Sequence, residues 1–188
     1  MSEQYYKKIN LDLSGLDLSK IRGGSLQEGY LDTFRSYNLL NDEYFQNFLS
    51  QRIKFKIPPL AINYTEISNY GALPHTDPPL AIINYFINSA DAVTTFWEVK
   101  NKNEDIGYAM PKLQNDGSKT KSGSVLYNDL TKLTEIGYFR TESNCAYVLN
   151  PRIIHSISKP NLDDQREFIR FLWLDLSMKE LIDNIIYI

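Results

Sequence analysis

Histidine is nearly missing from this chain. Two occur in 188 residues, His75 and His155, and there is one cysteine, Cys145. A single thiol excludes an internal disulfide, and a reducing cytoplasm is the expected setting. Without a second histidine near it in sequence, Cys145 reads as a small core residue rather than a nucleophile. No stretch approaches the ~20 apolar residues of a membrane helix. The opening MSEQYYKKINLDLSG lacks an apolar signal region, so no membrane partner is expected. Basic charge is not in surplus either. Lys and Arg number 20 against 23 Asp and Glu, a net charge of −3, which argues against broad nucleic-acid binding. Internal repeats and linkers rich in Pro, Gly or Ser are also absent. The chain therefore reads as one domain over residues 1–188.

What is present has two textures. Residues 1–24 read as an extended arm ending at Gly23-Gly24. From Ser25 to about Phe55, Leu26, Tyr30, Leu31, Phe34, Tyr37 and Leu40 recur at three- and four-residue steps, which predicts helix. A second helix is expected to start at Asn41 as N-cap and to run through Tyr44, Phe45 and Phe48. After Pro58-Pro59, short apolar runs alternate with turn residues, from LAINYTEI (60–67) and LAIINYFI (80–87) to REFIRFLWLDL (166–176). Seven or eight such strands predict a mainly β fold, α+β by content. A jelly roll over 59–176 is expected, with the helices of segment 1–58 packed on one sheet. The tail 177–188, LSMKELIDNIIYI from Leu176, fits a short helix or an edge strand equally.

The scarce histidines stand in informative places. In PHTDPPLAIINYFIN, His75 lies two residues before Asp77, and residues two apart in an extended chain point the same way. His155 follows eighty residues later inside another predicted strand. Two neutral imidazoles and one carboxylate hold a divalent iron on one side and leave the other side open. A lone histidine beside a strand is more often structural, and an aspartate before two prolines is more often a turn residue. The strand REFIRFLWL adds weight. Ile169, Phe171 and Trp173 form one apolar face, while Arg166 and Arg170 share the other with Phe168 and Leu172. Inward arginines are costly unless each meets an anion. A guanidinium fork suits the far carboxylate of a dicarboxylic acid, whereas the plainer alternative is an edge strand with arginines at its solvated start.

His75-x-Asp77, then His155, then an arginine eleven or fifteen residues on, resembles the 2-oxoglutarate- and iron(II)-dependent oxygenases. HTDPPLAIINYFIN with TTFWEV, and LNPRIIHSISKPN with REFIRFLWL, are similar to small bacterial and phage-type hydroxylases of the proline and prolyl kind. The resemblance spans about residues 60–176. It implies a double-stranded β-helix, a cupin-like jelly roll, with Fe(II), 2-oxoglutarate and O2. It also implies decarboxylation to succinate and CO2, coupled to hydroxylation of an amino acid, a peptidyl side chain or a small metabolite. It makes His75, Asp77 and His155 the metal ligands and Arg166 the 2-oxoglutarate clamp, with Arg170 as competitor. The carboxylate at Asp77 favours hydroxylation, since halogenating members lack it. Asn84, Tyr85 and Tyr64 are expected co-substrate contacts, Tyr70 a pocket residue, and Thr94, Thr95 and Trp97 substrate-facing. The polar segment from Lys100 to Gly123 reads as a lid or a solvated loop. Two other classes stay open: a cupin-type metal enzyme that does not use 2-oxoglutarate, and a non-catalytic β-sandwich module in which the three residues never meet. Prime substrate and oligomeric state are not legible in the sequence.

Overall fold

The structure is a computed structural model that describes residues 5–21, 26–28, 34–68, 71–113, 119–161 and 163–188. Among these, two antiparallel sheets face each other. The larger runs β1 (Tyr6–Ile9), β12 (Cys145–Leu149), β7 (Ala81–Asn88), β14 (Arg166–Trp173), β5 (Ala61–Ile67), β3 (Phe34–Asn38) and β2 (Leu26–Glu28). The smaller runs β11 (Leu133–Arg140), β8 (Val93–Val99), β13 (Ile154–Ser158), β6 (Ala72–Thr76), β10 (Lys119–Leu126) and β9 (Tyr108–Leu113). From β5 to β8 and again from β11 to β14 the chain passes repeatedly between the sheets, which is the expected double-stranded β-helix. No helix among the described residues is long and apolar enough to cross a membrane.

The central strands of the larger sheet are buried on both faces, which explains why they read as near-continuous apolar runs. Along β7, Ala81, Ile83 and Tyr85 face one hydrophobic cluster, and Ile82 and Phe86 face another. The first cluster lies outside the barrel. There Ile169, Phe171 and Trp173 of β14 meet Leu11, Leu13 and Ile21 of the arm, Phe45 and Leu49 of α2 (Glu43–Ser50), and Leu181 of α3 (Met178–Asn184). The second lies between the sheets and joins Phe168 to Phe96, Phe139 and Tyr147, with half-buried Cys145 against it. Alternation along β14 thus separates a structural face from a barrel face.

The N-terminal region departs from its sequence pattern. Helix was expected from Ser25 to about Phe55, yet Phe34–Asn38 is a strand paired with β5, and Ile53–Phe55 (β4) pairs with Ile185–Tyr187 (β15). Among the described residues only α1 (Leu18–Ile21) and α2 are helical in this region, and α2 is capped by Asp42, whose side chain accepts from the Phe45 N–H at 2.8 Å, rather than by Asn41. The cause is tertiary: β5 needs a neighbour, and pairing along it outweighs a local spacing that suited a helix. The tail is both of its candidates in turn, α3 and then β15. Ser177 opens α3 with a capping box, exchanging hydrogen bonds with Glu180.

Candidate metal centre

His75 and His155 are brought together by strand pairing. β6 and β13 run antiparallel, and the two histidines are direct cross-strand partners. Eighty residues of sequence separation close into two rings whose centroids are 4.3 Å apart. His155 is also opposite Phe96 of β8, so both imidazoles share the barrel face. Asp77 lies one residue beyond β6, with its N–H donated to the Pro151 carbonyl at 2.8 Å. Its Oδ2 is 3.8 Å from His75 Nε2. One ligand atom from each of the three residues falls within a 4.8 Å span, the one such set of His, Cys, Asp or Glu among the described residues. Bonds of ~2.0–2.2 Å to a transition metal place neighbouring ligand atoms at roughly 3 Å, within reach of small side-chain rotations.

The rings are oriented for coordination. His75 Nδ1 lies 2.7 Å from the Leu73 carbonyl, and His155 Nδ1 lies 2.9 Å from that of Ile153. A carbonyl oxygen only accepts, so each Nδ1 carries the proton and each Nε2 keeps its lone pair for a metal. Burial, and then the neighbouring His75, hold the His155 imidazole down at about 4, so it stays neutral at physiological pH. For Asp77, burial alone raises the pKa, but Arg170 and both imidazoles outweigh it, and the carboxyl sits below its ordinary value. Two imidazole nitrogens and one carboxylate make a hard-to-borderline donor set suited to a divalent first-row metal.

Arg166 and Arg170 lie on the barrel face of β14, as the alternation predicts. Their environments differ. Arg170 is opposite Asn84 of β7 and donates from Nε to Asn84 Oδ1 at 3.1 Å, and its charge faces Asp77. Arg166 is 3 % exposed, and among the described residues its Nε has no hydrogen-bond partner. Its guanidinium lies 4.7 Å from the centroid of Phe86 and 5.6 Å from that of Phe168. Burial, and then repulsion from Arg170, lower its pKa to about 9, which still leaves it charged at neutral pH. A buried cation held by cation–π contacts is costly unless an anion meets it.

Other expected site residues part company with the barrel. Tyr64 and Tyr85 belong to the outer cluster, on the opposite face of the sheet from Arg166 and Arg170, where Tyr64 donates to Glu66 at 2.9 Å. The expectation that they contact a co-substrate is corrected by this alternation: inward Asn84 makes its neighbour Tyr85 point outward. Asn84 faces inward but serves Arg170. On β8, Thr94 shares the barrel face with Phe96, whereas Thr95 and Trp97 turn away, with Trp97 Nε1 donating to Ser156 at 2.9 Å. Tyr70 lies outside the described residues. The Lys100–Gly123 segment is no plain loop: β9 and β10 form a hairpin, and β10 pairs with β6. Ser124 on that hairpin was not foreseen. Its hydroxyl donates to Asp77 Oδ1 at 2.9 Å. The preceding Gly123 marks an irregular strand, but nothing in the sequence says which strand it meets.

A surface cavity of about 600 Å³ lies beside Leu80, Asn150 and α3 and includes none of the three ligands. No protein-family model and no curated protein matches the chain. Solved structures of oxalate decarboxylase are similar in fold. A Bacillus subtilis variant aligns at 10 % identity and TM-score 0.41 over 84 % of this chain and 29 % of its own. Another oxalate decarboxylase structure aligns at 12 % identity and TM-score 0.40 over 89 % and 31 %. The chain thus spans about three tenths of the length of those proteins. At that distance two chains need share neither site nor chemistry.

Proposed function

We propose that this protein is an Fe(II)- and 2-oxoglutarate-dependent oxygenase, with residues 1–188 acting as one domain. His75, Asp77 and His155 hold the metal, and Arg166 takes the far carboxylate of 2-oxoglutarate. The observation that carries the reading is Arg166. A triad of ligands alone suits many metal enzymes. A buried guanidinium with no partner at Nε among the described residues, on the barrel face of the sheet opposite such a triad, calls for a ligand that is anionic at the end remote from the metal. A keto-acid with a second carboxylate has that shape.

The bound metal supplies a site where co-substrate and oxygen meet. The chain supplies the rest. Both imidazoles are kept in the tautomer that binds through Nε2. Phe86 and Phe168 exclude water around Arg166, which strengthens a charge-assisted pair there. Asn84 accepts from Arg170, whose charge favours the ionised form of Asp77. The prime substrate is proposed to be a small molecule or a peptidyl side chain, and hydroxylation the outcome.

The second reading keeps the metal and drops 2-oxoglutarate: a cupin-type metal enzyme, for which the geometry of the three ligands is equally suitable. The oxalate decarboxylase of the solved structures is itself described with Mn(II) centres. The module in which His75, Asp77 and His155 never meet loses its premise, because their side chains converge. Succinate release decides between the enzymes. With Fe(II), O2 and 2-oxoglutarate, the wild type is expected to form succinate, and His75→Ala or Asp77→Ala to form none while retaining the circular-dichroism spectrum. Metal uptake without 2-oxoglutarate turnover under any prime substrate would favour the cupin-type enzyme. Undiminished succinate in either folded variant would remove these residues from the ligand set.

A further inference from the structure

The three ligands are not held in the same way. Each histidine is tethered by a carbonyl two residues upstream on its own chain segment. Asp77 is tethered from elsewhere. Its Oδ1 accepts from the hydroxyl of Ser124, forty-seven residues later, while its Oδ2 is the oxygen nearer to His75 Nε2. The two carboxylate oxygens therefore do different work.

That difference bears on coordination. A carboxylate free to rotate binds a metal through one oxygen or chelates it through both. Chelation occupies a further position, which an open site needs for its other ligands. A hydrogen bond to Oδ1 fixes the rotation of the group and engages the oxygen that chelation would use. We infer that Ser124 is a positioning residue of the metal centre, which presents Asp77 through Oδ2 alone and makes the β9–β10 hairpin a working part of that centre. The inference rests on the proposed metal role of His75, Asp77 and His155.

The local sequence explains how Ser124 arrives there. β10 pairs with β6 through Val125 opposite Thr76 and Leu126 opposite His75, and the Tyr127 N–H donates to the Pro74 carbonyl at 2.8 Å. Between Lys121 and Val125 the register against β9 shifts. Gly123 takes φ +81°, and a Cβ there would meet Pro78 Cγ at 2.8 Å. A left-handed residue against the Pro78 ring turns the strand so that the next side chain, Ser124, reaches the carboxylate just before that proline. Glycine, serine and Asp77-Pro78 thus form one fitted unit.

The test uses Co(II) alone, titrated into metal-free protein and read by its visible absorption. Wild type and Ser124→Thr, which keeps the hydroxyl, are expected to bind alike. Ser124→Val, which has the shape of the threonine variant without its hydroxyl, is expected to bind about 10–100-fold more weakly, as is typical when a group that orients a metal ligand is removed. Ser124→Ala, which cannot clash, is expected to show the same loss, and circular dichroism checks that each variant is folded. Equal affinity for the Thr, Val and Ala variants would overturn the role of Ser124 and leave the metal reading standing. A wild type that takes up no Co(II), or a His75→Ala variant that binds as well as wild type, would overturn the metal reading itself, and this inference with it.

Discussion

At the scale of the residue, the two arginines carry the sharpest distinction. They share one face of β14 and are four residues apart, about 13 Å along an extended strand at ~3.3 Å per residue. Arg170 already has Asn84 as acceptor and feels the charge of Asp77, whereas among the described residues the Arg166 Nε has no acceptor. Removing the planar fork at Arg166 is therefore the more costly change. In titrations of 2-oxoglutarate, Arg166→Lys is expected to lose on the order of 2–5 kcal/mol of binding, because an ammonium cannot pair with a carboxylate through two parallel bonds. Arg170→Lys is expected to lose less, and a larger loss at position 170 would move the clamp there. His155 makes a second, independent prediction for metal-free protein. Its pKa is about 4 in the fold against an ordinary 6.5. Between those values the unfolded chain holds a proton that the folded chain does not, so acid favours unfolding. The stability that depends on a neutral His155 is complete above about pH 6.5 and is lost as pH falls towards 4. Urea unfolding at pH 7 and pH 5 is expected to show a drop in stability that is smaller in His155→Gln, by at most one proton, or about 1.4 kcal/mol per pH unit. Equal drops in the two proteins would place the acid sensitivity elsewhere.

At the scale of the element, legibility followed the reach of each signal. Alternation is local, so β14 could be divided correctly into an outer face of Ile169, Phe171 and Trp173 and a barrel face holding both arginines. The His75-x-Asp77 pair was legible for the same reason. The contact of His155 with His75 depends on β6 pairing with β13, which no local pattern encodes, and it was reached from residue chemistry and family resemblance instead. Where neither helped, the reading failed. Phe34–Asn38 carries helical spacing yet serves as the neighbour of β5. Tyr64 and Tyr85 lie near the ligands in sequence, but the alternation of their strands sends them to the outer cluster. The segment from Lys100 to Gly123 is polar enough to read as loop. It contains the strands that extend the smaller sheet past β6, and with them the approach to Ser124, because an edge strand offers unpaired backbone groups to any chain that can lie along it.

At the scale of the whole molecule, the larger sheet separates two tasks. One face packs on the arm and helices and stabilises the fold, and the other lines the barrel and carries the arginines. Phe171 and Phe168 are three residues apart on one strand and fall on opposite sides of this division. Phe171 is fully buried, with ring centroids 6.4 Å from Phe45 and 5.6 Å from Phe55. Phe171→Ala is expected to cost about 3–5 kcal/mol of unfolding free energy, the range for deleting a buried phenyl ring. Because the cavity opens on the side away from His75, Asp77 and His155, the protein that remains folded should bind Co(II) as wild type does. Phe168→Ala opens a cavity beneath both guanidiniums, whose centres lie 5.6 Å (Arg166) and 5.3 Å (Arg170) from its ring centroid. That change is expected to weaken 2-oxoglutarate binding as well as stability, since water admitted to the barrel screens the charge that Arg166 offers an anion. Urea unfolding and ligand titration on the same two preparations separate the effects. Comparable loss of 2-oxoglutarate affinity in both would mean that the sheet does not insulate one face from the other.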